Sequence, residues 1–292
     1  MVYKRDFTGY HNDYPDFKWP GNKNLAVSLV FNYEEGSEHS YNRDKVVESI
    51  GEFLPVDVNR RDIGNETVYE YGQRSGIWRI LNAINSRNIK ATFFATAKAL
   101  ETNMYATKNI IENGHEICDH GYYWTELYNM DYSAEYNEIK NSIDLIEKLT
   151  GKKPGGFYAR EPTENTVDIL SEFGNFIYDS DSYADDLPFF YNRLLILPYT
   201  PDANDFHFLS PMNRFSTSNE FLEYLIDTFN TLHDEAQKQP KMMTAAFHVR
   251  VTGRPGRFPA LIKFIDYITK YDDIWITTRE EIAKFWIKNF KD

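Results

Sequence analysis

The feature that most restricts this chain is an alternation repeated along its length. Short apolar, β-rich runs are separated by longer stretches in which apolar residues recur at helical spacing. A chain patterned in this way builds strand–helix–strand units around a parallel sheet rather than a sandwich. The strand candidates are 25–32, 90–96, 115–118, 156–159, 176–178, 194–198, 244–248 and 274–277. Helical periodicity falls between most of them, at 76–87, 104–113, 134–149, 166–173, 218–237, 259–271 and 278–289. Gly114 and the pair Gly151 and Pro154 act as C-terminal stops, while Ser218 and Thr278 can cap helix starts. With no repeat, low-complexity tract or Pro/Gly/Ser-rich linker, residues 1–292 read as one domain, and 42% hydrophobic content suffices for one large core. An aromatic arm, 1–24, precedes the first strand. It can wrap a neighbouring subunit or cover its own barrel.

Charge narrows the partners. Against 32 basic residues stand 44 acidic ones, and a formal charge of −12 repels phosphate backbones and anionic membrane surfaces. Nucleic acid and membranes are therefore not expected partners. A lone cysteine, Cys118, excludes an internal disulfide framework and reads as a buried structural thiol in a reducing compartment. The opening Met1-Val2-Tyr3-Lys4-Arg5-Asp6 is not followed by an apolar signal core, so the cytoplasm is the expected address. Aromatics at 16% exceed what a minimal core needs; core packing is their commoner use, with some expected to line a pocket or an intersubunit surface, and a homo-oligomer is the expected assembly.

In an α/β barrel the reactive groups sit just beyond the strands, at the C-terminal face. The first strand runs into Tyr33-Glu34-Glu35-Gly36, two adjacent carboxylates at a turn. The third ends at Asp119-His120-Gly121, with His120 at the loop mouth and His115 at the strand's start in a structural place. The seventh delivers His248 and then a basic loop from Arg250 to Arg257 that includes Arg254. After the fourth come Tyr158-Ala159-Arg160-Glu161-Pro162, and after the fifth an acidic run from Asp179 to Asp186 that includes Asp181. That run lacks the sixth-position glycine and closing glutamate of a calcium loop, so it reads as a polar loop with some substrate contact. Isolated, an exposed Glu-Glu pair is usually a solvated surface and a post-strand His usually core; convergence at three strand ends favours chemistry. Carboxylates with histidines suit addition of water to an amide carbonyl, which needs a base for the water and an acid for the nitrogen. No Gly-x-Ser-x-Gly elbow, phosphate loop or dinucleotide fingerprint is present.

These residues resemble the motifs of the polysaccharide deacetylase family, the NodB-homology or carbohydrate esterase 4 group, over about 25–286. The resemblance implies a distorted seven-stranded (β/α) barrel. Phe31-Asn32-Tyr33-Glu34-Glu35-Gly36 lies where that family has Thr-Phe-Asp-Asp-Gly, the source of its base and a metal ligand. His120-Gly121-Tyr122-Tyr123-Trp124 matches His-(Ser/Thr)-x-x-His, so Trp124 replaces a ligand histidine. Arg160 before Pro162 is similar to the arginine that orients the catalytic carboxylate, and His248 to the proton-donating histidine. Indole has no lone pair to give, so the resemblance implies a centre without metal or other cofactor. Tyr69-Glu70-Tyr71-Gly72, Lys241-Met242-Met243 and Gly253-Arg254-Pro255-Gly256-Arg257 further resemble the PuuE-type allantoinases, a metal-independent branch.

The expected function is thus hydrolysis of a non-peptide carbon–nitrogen bond, with an allantoin-like ring as substrate. An N-acetylated sugar of chitin, chitooligosaccharide or peptidoglycan is the alternative within hydrolases, and a barrel that only binds is the alternative outside them. Glu34, Glu35, His120, His248 and Arg160 are the expected catalytic groups, with either glutamate as base. Tyr33, Trp124, Tyr158, Asp181 and Arg254 are the expected substrate contacts. His39 and Asp119 are the residues that could replace the missing ligand.

Overall fold

Strand β1 (Leu25–Tyr33) is buried along its whole length, as a strand covered on both faces must be, and the rest of the sheet is arranged around it. A computed structural model describes residues 4–11, 13–48, 60–210 and 214–291. The remaining strands are β2 (Thr92–Ala95), β3 (Glu116–Asp119), β4 (Gly156–Phe157), β5 (Tyr178–Asp179), β6 (Phe189–Tyr191), β7 (Leu194–Ile196), β8 (Lys241–His248) and β9 (Ile274–Ile276). They form one sheet in the order β6-β7-β5-β4-β3-β2-β1-β8, with β9 also on β1. Every pairing is parallel except the β6–β7 hairpin.

The lower half of β1, Leu25 to Val27, pairs with β9, and its upper half, Val30 to Tyr33, pairs with β2. The two short strands therefore share one lane. Seven lanes result, β8, β1, β2 with β9, β3, β4, β5 and β7, which makes the sheet a distorted seven-lane α/β barrel. Its seam lies between β7 and β8, where the Asn204–Ala246 bridge and the Ala246 N–H to Ala203 carbonyl bond at 2.8 Å link the two sides.

Side-chain parity divides the sheet into two faces. Val27, Leu29, Phe31 and Tyr33 of β1, with Phe93, Ala95, Met243, Ala245 and Phe247, face the helical layer. Ala26 and Val30, with Phe94, Cys118, Tyr178, Met242 and Ala246, face the concave side. A buried arginine, Arg279, plugs that side: its guanidinium donates to Ser180, Thr244 and the carbonyls of Leu197 and Pro198, tying three stretches of the wall together. Such a cation is tolerated in the interior because its donors are satisfied. Cys118 is buried on this face, and burial pushes its thiol up. His115 is structural: burial holds it down at about 4, and it accepts from the Ala91 N–H at 3.2 Å and meets Asn85 at 2.8 Å.

The aromatic arm covers its own barrel. Phe17 and Trp19 pack on Trp275, Phe285, Trp286 and Phe290, and the buried Trp19 indole donates to the Lys241 carbonyl at 2.9 Å. Residues 1–3 and 12 of the arm lie outside the described set.

The seven expected helices are present, and Thr278 and Gly151 cap as anticipated. The helix Ser218–Ala236 is capped by Thr217, whose hydroxyl accepts from the Glu220 N–H, rather than by Ser218. Segments not anticipated include the helix Ile63–Tyr71, the π-helical turn Gly72–Gly76 and the helix Ala97–Thr102. The first buries only Asn65 and Tyr69, so it has no apolar stripe for periodicity to detect.

Candidate active site

Beyond Tyr33 the period of two continues into the turn, so Asn32 and Glu34 point to the concave side while Tyr33 and Glu35 point toward the helices. Asn32 donates to the Tyr199 hydroxyl at 2.9 Å. Glu34 is 1% exposed and sits at the centre of the strand ends. Its Oε1 lies 3.2 Å from His120 Nε2 and 3.7 Å from His248 Nε2, and its Oε2 accepts from Arg250 Nη1. Burial alone would raise its pKa, but Arg250, then His248 and His120, hold this carboxyl far below the usual range.

Glu35 has a different environment. Its Oε1 accepts the Arg250 backbone N–H at 2.8 Å and its Oε2 the Glu34 N–H at 3.2 Å. The π-helical turn presses on it. A Cβ at Gly72 would sit 2.6 Å from Glu35 Cγ, so glycine alone permits the approach. In the same turn Gln73 donates to the Glu35 carbonyl at 2.7 Å and is gripped by the Tyr33 hydroxyl. Burial pushes the Glu35 carboxyl up to about 7, with Arg250 opposing and the Glu34 charge assisting.

The two histidines are oriented through their Nδ1 atoms. His120 Nδ1 faces the Tyr158 carbonyl at 2.7 Å and its ring stacks on Tyr158, with centroids 5.1 Å apart, so Nε2 is turned to Glu34. His248 Nδ1 meets Asp205 Oδ1 at 2.7 Å, and Asp205 also accepts the His248 N–H. This carboxylate fixes the ring and balances the imidazolium when Nε2 carries a proton. Asp205 belongs to the short 3-10 turn Asp205–Phe208, just past the barrel seam.

Several expected contacts are arranged otherwise. Arg160 does not reach Glu34: it pairs with Glu48 at 2.9 Å and Glu126 at 2.8 Å and lies over the Trp124 ring. The guanidinium on Glu34 is that of Arg250, two residues after His248. Tyr33 is a core residue of the helical face and presents nothing to a substrate on the concave side. Arg254 lies over the Tyr71 ring at 3.8 Å. Tyr158 does flank the centre, through His120, and its hydroxyl meets Tyr183 at 3.0 Å. Asp181 accepts the Ala159 N–H at 2.8 Å; burial raises it, and it shares its environment with Asp179, raised to about 6 by burial. Sequence reasoning did not single out Arg250 or Asp205. A histidine at a strand end asks for an acidic partner, but nothing local says which of the many carboxylates supplies it.

An open cleft of about 700 Å³ lies along the seam, lined in part by Tyr14, Asp186, Tyr199 and Asp202. It adjoins the strand ends through Tyr199, whose hydroxyl accepts from Asn32, and through Tyr183 beside Tyr158.

A divalent ion does not fit the donor set. Trp124 offers no lone pair, and its ring lies under the Arg250 guanidinium at 4.8 Å. His39 is engaged by Asp44 and Glu126, and Asp119 points to the helical face, where it binds Ser142 and the Gly121 N–H. Among the described residues no group of three or more His, Cys, Asp or Glu side chains is placed to hold a metal.

A barrel with its carboxylates and histidines gathered at the C-terminal strand ends defines a hydrolase of the polysaccharide deacetylase class, and the chain belongs to that family. The polysaccharide deacetylase family model matches residues 66–174. A Schizosaccharomyces pombe protein named "Putative polysaccharide deacetylase" is 34% identical over 98% of both chains. Two solved structures superpose with a TM-score of 0.94: PuuE allantoinase, 36% identical over 100% of each chain, and a probable polysaccharide deacetylase from Pseudomonas aeruginosa PAO1, 37% identical over 99% of this chain and 100% of that one.

Proposed function

We propose that the protein is a cofactor-independent amidohydrolase that opens the hydantoin ring of allantoin to give allantoate. The observation that carries this reading is the enclosure of the centre: Glu34, Glu35, His120, His248 and Arg250 are each under a tenth exposed. A deacetylase working along a polymer needs its carboxylate and histidines on an open groove, whereas a small ring is best handled in a closed, water-poor pocket. The likeness to PuuE allantoinase along the full chain supports the same substrate.

In this mechanism Glu34 is the base. Its side chain faces both imidazoles, and Arg250, His248 and His120 favour its carboxylate form; Glu35 is spent on two backbone amides and positions the turn. Water adds to the ring carbonyl and its proton passes to Glu34. His248, its Nδ1 held by Asp205, protonates the departing nitrogen as the carbon–nitrogen bond breaks, and Glu34 returns the proton across the short gap to Nε2. His120 donates from Nε2 toward the reacting oxygens. Trp124, Tyr158 and Asp181 are the proposed substrate-side walls. One domain, a homo-oligomeric assembly and residence in the cytoplasm are parts of the same proposal; among the described residues no helix is long and apolar enough to cross a membrane.

A second reading, N-deacetylation of chitin, chitooligosaccharide or peptidoglycan, is favoured by the family itself. Purified protein assayed with allantoin and with chitooligosaccharide, each with and without chelator, separates the two. Allantoin turnover that is indifferent to chelator is expected; acetate release from the sugar with no ring opening would replace the first reading by the second.

A further inference from the structure

We infer that the Arg250 guanidinium does in this centre what a bound metal would do: it holds the place between the two carboxylates, and its unpaired Nε–H is the donor that receives the oxyanion. The inference rests on the amidohydrolase reading above for its chemistry, but not for its account of why a metal is excluded.

The placement is specific. Arg250 is 3% exposed and reaches both carboxylates: Nη1 donates to Glu34 Oε2 and stands 3.6 Å from Glu35 Oε1, while its backbone N–H holds Glu35. Two rings support the flat cation, Trp124 with its centroid 4.8 Å from the guanidinium carbon and Tyr69 at 4.9 Å. A planar, weakly hydrated cation stacks flat on such rings more readily than a compact, strongly hydrated ammonium. Trp124 is the residue that stands where the family resemblance calls for a ligand histidine. The loss of that imidazole and the seating of Arg250 are thus two halves of one change: the ring that cannot bind a metal is the floor on which the guanidinium lies.

One donor is left over. Arg250 Nε is buried and has no hydrogen-bond partner, and the hydroxyl of Tyr69, whose ring lies against the guanidinium, is also unpaired. A buried arginine N–H without an acceptor is destabilising, a penalty relieved when an acceptor arrives. The group that suits it is the oxygen of an amide or ureide carbonyl, most of all when charge builds there. As the water oxygen bonds to the carbonyl carbon, its proton goes to Glu34 and the C=O π pair moves onto oxygen, where Nε–H meets it. When that pair returns, the carbon–nitrogen bond breaks and the nitrogen takes its proton from His248. No redox partner or further reactant is needed.

The test has two arms. In the first, Arg250→Lys keeps the charge but loses the planar fork, and Arg250→Ala loses both. Removal of an oxyanion donor lowers kcat by roughly 10²–10³-fold, so both variants should fall in that range with KM changed far less, and millimolar guanidinium should partly restore Arg250→Ala. Full turnover in Arg250→Lys would overturn the donor role. In the second, zinc is dialysed into Trp124→His and into Trp124→His combined with Arg250→Ala, folding is checked by circular dichroism, and metal is measured by elemental analysis. Trp124→His alone should remain metal-free and the double variant should hold one zinc per chain. Stoichiometric zinc in the single variant, or none in a folded double variant, would overturn the claim that Arg250 holds the metal's place. If the alanine version does not fold, Arg250→Gln in the same background keeps the side-chain length and answers the same question. Because this arm reads metal and not turnover, it stands or falls apart from the choice of allantoin.

Discussion

Replacing Asp205 by asparagine should abolish most turnover while leaving substrate affinity nearly intact. Asp205 is fully buried, and its two oxygens serve two residues: the His248 N–H at 2.9 Å to both, His248 Nδ1 at 2.7 Å, the Thr252 N–H at 3.1 Å and the Thr252 hydroxyl at 2.6 Å. Asparagine matches the shape but turns one acceptor into a donor. If its NH2 takes the Oδ1 place it confronts His248 Nδ1–H and forces the other tautomer; if it takes the Oδ2 place it confronts the Thr252 N–H. Either way a buried donor loses its acceptor, at about 1–3 kcal/mol, and the bond to Nδ1 weakens from charge-assisted to neutral, about 1 kcal/mol more. Stability should therefore drop by about 2–4 kcal/mol. The catalytic loss is larger, because a proton donor such as His248 contributes roughly 10²–10⁴-fold and acts only when its charged form is supported and aimed. Steady-state kinetics of ring opening beside urea denaturation should show kcat down by at least about 10²-fold, with KM within a few-fold. A variant destabilised as stated but turning over at the wild-type rate would refute the role of Asp205 and the assignment of His248 as acid.

Glu34→Gln should lose at least about 10²-fold in kcat with its fold retained, and a fully active Glu34→Gln would move the base elsewhere. Glu35→Gln should act on stability against pH. A carboxyl raised from 4.5 to about 7 in the native state keeps a proton there that the unfolded chain has released, so its contribution to stability falls as pH rises from about 4.5 to about 7 and is level above. Unfolding free energies measured from pH 4 to 8 should show a shallower decline in Glu35→Gln than in wild type; identical slopes would count against a protonated Glu35. Gly72→Ala forces a methyl to within 2.6 Å of Glu35 Cγ and should cost about 1–3 kcal/mol by overpacking, together with turnover, because Glu35 supports the Glu34 and Arg250 backbones. An unperturbed melting temperature would show that the turn can give way.

The strand–helix alternation, the helix periods and the identity of the strand-end groups were legible in the chain alone, because the period of two in strands and of 3.6 in helices is local chemistry. So, in principle, was the division of labour between the glutamates: Asn32 and Glu34 share a face and Glu35 takes the other by simple parity. The short strands β6 and the segments at 63–76 were not legible, since they bury too little apolar surface to leave a pattern. What only the tertiary structure decided is who meets whom. The parallel register of β1 with β8 sets Asn32 beside His248, which brings Arg250 to Glu34 and Glu35 across more than 200 residues of chain. Closure of the seam carries Asp205 to His248, while Arg160, the arginine that motif similarity favoured, is drawn off to Glu48 and Glu126. Spacing along a sequence specifies which face a residue takes; an ion pair forms between elements, and its partners are chosen by register, sheet curvature and burial, none of which is written in any one segment.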